Sequence, residues 1–113
     1  MPEAAYIFDL ETVMREASQL TLSHGRATHA IVSFPNLKLL IIYMTAESVW
    51  SEHSTPGRIA VQVLRGQIVM TANGKQYDLS AGSGAAFDSD IKHDVKALSE
   101  AWFLLTVAHR TEK

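Results

Sequence analysis

The chain has no cysteine, and that absence removes disulfide staples, thiolate nucleophiles and cysteine-ligated zinc together. Any metal must take nitrogen and oxygen ligands. Positive charge is not in excess either: ten Lys and Arg against twelve Asp and Glu leave a formal charge of -2, with no basic field for a phosphate backbone. Nucleic-acid binding is disfavoured. No apolar run approaches the roughly 20 residues of a membrane span, and the longest, Leu37 to Met44, is interrupted by Lys38. No membrane partner is expected. The opening stretch MPEAAYIFDLETVMREA lacks the basic and apolar regions of a secretory signal, so a cytoplasmic location is the expectation. There is no Gly-x-x-x-x-Gly-Lys-Ser/Thr phosphate loop, and Gly82-Ser83-Gly84 sits between alanines rather than in a nucleophile elbow. No linker, repeat or low-complexity tract divides the 113 residues.

What is present is the composition of one globular domain, 47% hydrophobic and 19% charged. From Asp9 to Leu22 the residues Leu10, Val13, Met14, Ala17 and Leu20 recur at helical spacing, with Asp9 as N-cap and Gly25 suited to the left-handed residue after the helix end. The pattern then changes to short β-type runs: Ala30 to Phe34, Leu37 to Thr45, Ile59 to Leu64, Gln67 to Thr71, Gln76 to Leu79, Ala85 to Phe87, Ile91 to Ala97 and Ala101 to Ala108. Asn73-Gly74 between two such runs specifies a type I′ hairpin, because both central residues need positive φ. These runs predict an all-β antiparallel sandwich or barrel with a short N-terminal α-helix, residues 1–29 forming the helix and lead-in and 30–113 the barrel. The near-continuous apolarity of Leu37 to Thr45 implies burial on both faces, and a homodimer interface would supply the second cover. In Ile91-Lys92-His93-Asp94-Val95-Lys96-Ala97 a period of two separates Ile91, Val95 and Ala97 from the charges and puts His93 on the apolar face.

With those runs in place, Glu52 to Val107 resembles the small single-domain bacterial cupins, whose fold is a double-stranded β-helix or jelly-roll barrel. Their first motif runs Gly, five residues, His-x-His, three or four residues, Glu, six residues, Gly. His53 and Gly66 match it, while Glu47, Thr55 and Ile59 stand at the opening Gly, the second His and the Glu. The second motif runs Gly, five residues, Pro-x-Gly, two residues, His, three residues, Asn. Gly82 and His93 match it, while Asp88, Asp90 and Ala97 depart from it. In complete cupins three histidines and the glutamate hold a divalent metal such as Fe, Mn, Ni or Zn inside the barrel. Carried over position by position, the resemblance implies metal or pocket roles for His53 and His93 alone, with Thr55 a hydrogen-bonding position where the family has a ligand. Two protein ligands fall short of the usual three or four, and Gln62, His109 and Thr55 are the candidates for a third. Gln62 has the wrong parity to share a face with Ile59, Val61 and Val63.

Other residues admit plainer readings. Alternation turns Glu52 away from His53 into solvent. Trp50, Phe87, Trp102 and Phe103 either line an apolar pocket or pack the core. Asp88-Ser89-Asp90 lacks the further oxygen ligands of a calcium loop and reads as a turn. His24, His29 and His109 have no partner spacing. Three functions stay open: a barrel holding a small molecule against His53 and His93, an oxygenase- or isomerase-type enzyme with a reduced two-histidine metal site, and a dimeric interaction module.

Overall fold

The computed structural model describes residues 5–109; the outermost residues of the expected ranges, 1–4 and 110–113, lie outside the described residues. Among the described residues one helix, α1 (Leu10–Ser18), precedes nine strands: β1 (Arg26–Ser33), β2 (Leu37–Met44), β3 (Val49–His53), β4 (Arg58–Arg65), β5 (Gln67–Ala72), β6 (Lys75–Ser80), β7 (Gly84–Phe87), β8 (His93–Ala97) and β9 (Ala101–Ala108). They form a five-stranded sheet in the order β1-β2-β9-β4-β7 and a four-stranded sheet in the order β3-β8-β5-β6. Every pairing is antiparallel. Alternation on the facing strands fills the space between the sheets with Ile42, Met44, Val61, Val63, Ile68, Met70, Val95 and Phe103. The all-β barrel with one leading helix is thus what the residues build.

The Asn73-Gly74 turn has φ of 52° and 75° and joins Ala72 to Lys75, the type I′ geometry that its sequence requires. Asp9 caps α1, its carboxylate accepting the Thr12 N–H at 3.0 Å. The helix ends at Ser18 with Gln19 as C-cap, well before the expected Leu22. Gly25 is left-handed at φ 76°, but as half of the turn Ser23–Arg26 that starts β1, not as a helix terminator. Because β1 begins at Arg26, it straddles the boundary expected at residue 29.

The double-sided burial of β2 has a cause within the chain. Ile42 and Met44 face the space between the sheets, while Ile41 and Tyr43 face outward and pack with Val13 and Ala17 of α1. Trp102 of the neighbouring β9 joins that outer layer and donates its indole N–H to the Met14 carbonyl at 2.9 Å. The helix is the second cover, so the apolarity of this run requires no second copy.

Candidate ligand site

The strand absent from the sequence reading, β3, builds the site. Val49-Trp50-Ser51-Glu52-His53 alternates poorly and pairs only with β8, at the edge of the smaller sheet. Its register runs Val49↔Lys96, Trp50↔Val95 and then His53↔His93, so three steps on β3 match two on β8. The extra residue is a β-bulge. It reverses the alternation between Trp50 and His53 and brings both side chains to the inner face, directly across from β8. Glu52 is left exposed, as alternation required.

His93 opens β8 and is 4% exposed. Its Nδ1–H donates to the Ile91 carbonyl at 2.9 Å, and the His53 Nδ1–H donates to the Ser51 carbonyl at 2.7 Å. A carbonyl only accepts, so each of these bonds places the proton on Nδ1 and leaves Nε2 of a neutral ring as an acceptor. The rings meet edge to face with centroids 4.2 Å apart. Trp50 stacks on His53 at 4.2 Å and Phe87 lies parallel to His93 at 5.5 Å. Burial holds the His53 pKa below its ordinary value of 6.5, with His93 and Arg26 adding to the effect and the Ser51 carbonyl and Asp94 opposing it.

Both rings line a cavity of about 40 Å³ together with Trp50, Thr55, Ile59, Val61, Met70 and Phe103. That is room for a water or two, far below the several hundred Å³ of a typical small-molecule pocket. Trp50 and His53 also line a second, open groove of about 320 Å³ on the outside, with His24, Arg26, Val49, Ser51 and Glu52. A larger open groove of about 480 Å³ lies at Asn73, Tyr77 and Asp88; Phe87 is in its wall, but neither histidine is. The two histidines therefore line only the smaller two spaces, which His53 connects.

The other candidates separate. Thr55 reaches the cavity but spends its hydroxyl proton on the Gly57 carbonyl at 3.1 Å. Gln62 is exposed on the outer face of β4, and His109 lies away from the cavity, its backbone N–H on the Asn36 carbonyl. Phe87 and Phe103 bound the histidine site, whereas Trp102 belongs to the helix-facing layer. Asp88-Ser89-Asp90 is the expected turn, with Asp88 paired to Arg58 at 2.8 Å and the Asp90 N–H on the Thr55 carbonyl. Sequence reasoning missed Arg26 and gave His24 no role; the turn before β1 delivers both to the outer groove. No local signal marks them, because their neighbours in space lie beyond β2.

A flattened antiparallel barrel with histidines from β3 and β8 facing one another inside it defines the cupin class of architecture. The chain belongs to the cupin domain family, whose sequence model matches residues 40–108. Among solved structures it is similar to a conserved protein of unknown function from Streptococcus pyogenes, at 20% identity and TM-score 0.78 over 98% of this chain and 93% of that one. It is similar to a cupin superfamily protein from Desulfitobacterium hafniense, at 15% identity and TM-score 0.75 over 83% and 87%. It also matches a salicylate 1,2-dioxygenase from Pseudaminobacter salicylatoxidans at 16% identity and TM-score 0.81, covering 89% of this chain but 34% of the dioxygenase. A search of curated proteins finds no match.

The family implies a divalent metal, and the donor set here does not fit one. Among the described residues no three of His, Asp, Glu or Cys come together. Ile59 replaces a carboxylate with hydrocarbon, and beyond the two imidazoles and Thr55 the cavity wall is apolar except for the Met70 thioether. A hard cation wants oxygen ligands this space does not offer.

Proposed function

We propose that the protein is a small-molecule-binding cupin whose ligand rests in the outer groove and presents a hydrogen-bond donor inward to His53 and His93. The observation that carries this reading is that His53 and Trp50 belong to both spaces, while the inner one is too small to enclose more than a ligand's polar tip. Two Nε2 acceptors in an apolar wall would then fix orientation, as a few placed polar groups do in ligand pockets. Similar folds can hold organic acids, since the salicylate dioxygenase has also been solved as a gentisate adduct.

A thermal-shift screen of small polar and acidic compounds, with first-row divalent metals alongside, tests the proposal. Compounds that stabilise the parent chain are expected to lose their effect in His53→Ala and His93→Ala, while metals alone leave the melting temperature unchanged. His53→Phe and His93→Phe keep the rings packed and separate lost binding from lost folding. Equal stabilisation of parent and variants by every compound refutes the histidine role; a metal-induced shift that both variants abolish restores the metal site.

A further inference from the structure

The outer groove holds a cation that has no anionic partner among the described residues. Arg26 is partly buried, and burial lowers its pKa without threatening its charge. Among the described residues its guanidinium makes no ion pair and no side-chain hydrogen bond. Arg58 and Arg65, both more exposed, pair with Asp88 at 2.8 Å and Glu11 at 2.7 Å. Arg26 instead lies over Trp50, its Cζ 4.3 Å from the ring centroid. The contact holds the guanidinium carbon against the indole face and, among the described residues, leaves its N–H donors without a side-chain acceptor.

The backbone holds this arrangement in place. His24 and Gly25 are both left-handed, with φ of 54° and 76°. The Gly25 carbonyl accepts the Thr45 N–H at 2.9 Å, and a Cβ on Gly25 would come within 2.7 Å of the Ser48 Cβ. The turn is thereby clamped to the segment leading into β3, which carries Trp50. Arg26 is presented by a rigid support, and His24 of the same turn lines the groove with it. Preorganised planar donors on a fixed support match a carboxylate in two parallel bonds.

We infer that Arg26 is a carboxylate receptor, so that the ligand is a small monocarboxylate with its acid group on the guanidinium and its remaining polar end toward His53. The placement toward His53 rests on the function proposed above; the carboxylate site itself does not. Glu52, in the same groove wall, adds like-charge repulsion that weighs more heavily on a dianion, which favours a carboxylate over a phosphate.

Acetate is the probe, as the head group any larger carboxylate shares. The uniformly 15N-labelled chain is titrated with acetate, with chloride at matched ionic strength, with acetamide as the neutral analogue and with inorganic phosphate. The Arg26 Nε–H and Trp50 Nε1–H resonances are followed. Acetate is expected to give saturable shifts that chloride and acetamide do not, with phosphate weaker. Arg26→Gln is expected to lose about ten-fold or more in affinity, the size of one lost charge-assisted pair, and Arg26→Lys an intermediate amount. Arg65→Gln is expected to bind as the parent does. Matching shifts with chloride, unchanged affinity in Arg26→Gln, no saturable shift, or tighter phosphate binding each overturn the inference. A compound that depends on His53 and His93 but is indifferent to Arg26→Gln overturns it alone; acetate binding at Arg26 with no histidine-dependent compound overturns the inner reading instead.

Discussion

Replacing His53 with Phe should make the stability of the protein respond differently to acid, and the sign is determined by the environment of the ring. The native state holds the His53 pKa below 6.5, chiefly through burial and further through His93 and Arg26, with Ser51 and Asp94 pulling the other way. As pH falls through about 6.5 the unfolded chain takes up this proton before the folded one does. Stability contributed by a neutral His53 is therefore complete above the unfolded value, declines as pH drops below it, and levels off at the lower native pKa. One group can change folding free energy by at most about 1.4 kcal/mol per pH unit in that window. Phe keeps a ring against Trp50 and His93 but cannot titrate, and it loses the hydrogen bond to the Ser51 carbonyl, a cost of about 1 kcal/mol where the ring is neutral. Urea unfolding of parent and variant from about pH 8 to about pH 5 measures the difference. Subtraction removes the distant histidines and carboxylates, which act independently of this site. The parent is expected to be the more stable form at high pH and to lose that advantage on acidification. A pH-independent difference refutes the reasoning, and so does a parent that gains on acidification, which would make the Ser51 carbonyl and then Asp94 the controlling neighbours.

Three structural predictions accompany it. Phe103, 1% exposed between the sheets and part of the cavity wall, should cost about 3–5 kcal/mol on truncation to Ala, read as a lowered urea midpoint; a loss under about 1 kcal/mol would show that the interior collapses around the site. Glu47→Gly should stabilise by roughly 0.5–1 kcal/mol, because Glu47 is left-handed at φ 68° and its 3.4 Å bridge to Lys96 is exposed. Destabilisation in the same urea titration would mean that the ion pair outweighs the strain. Trp102→Phe should lower stability by about 1 kcal/mol by leaving the Met14 carbonyl without its indole donor, and hydrogen exchange in α1 should rise; unchanged exchange would show that apolar packing alone holds the helix.

The parts of the fold that depend on local rules were legible, and those that depend on distant contacts were not. The type I′ turn at Asn73-Gly74 and the Asp9 cap follow from the residues that form them. His93 could be placed by parity because β8 is regular. His53 could not, since the bulge between Trp50 and His53 breaks alternation and is set by pairing with β8. The same irregularity hid β3 itself. The helix stops at Ser18 because its apolar face ends where β1 and β2 no longer cover it: Val13, Met14 and Ala17 are buried, while Leu20 and Leu22 are exposed. Propensity alone carried the expected end too far.

The family frame shows why architecture survives here when chemistry does not. The four positions that the cupin motifs give to glycine are residues 47, 66, 82 and 90, and all four are left-handed, with φ of 68°, 87°, 92° and 64°. Only two of them are glycine; Glu47 and Asp90 adopt the same backbone at a cost of about a kilocalorie per mole each. Such a cost is small beside a core that spans both sheets, so the turns persist through substitution. A metal site has no such margin, because Thr55 and Ile59 take half its donors and, among the described residues, no further His, Asp, Glu or Cys makes up the loss. The barrel keeps His53 and His93 edge to face, each held through Nδ1 by a backbone carbonyl of its own strand or lead-in. The carboxylate site inferred at Arg26 then lies outside the family motifs, in a contact with Trp50 that spans all of β2 and depends on a turn at Gly25.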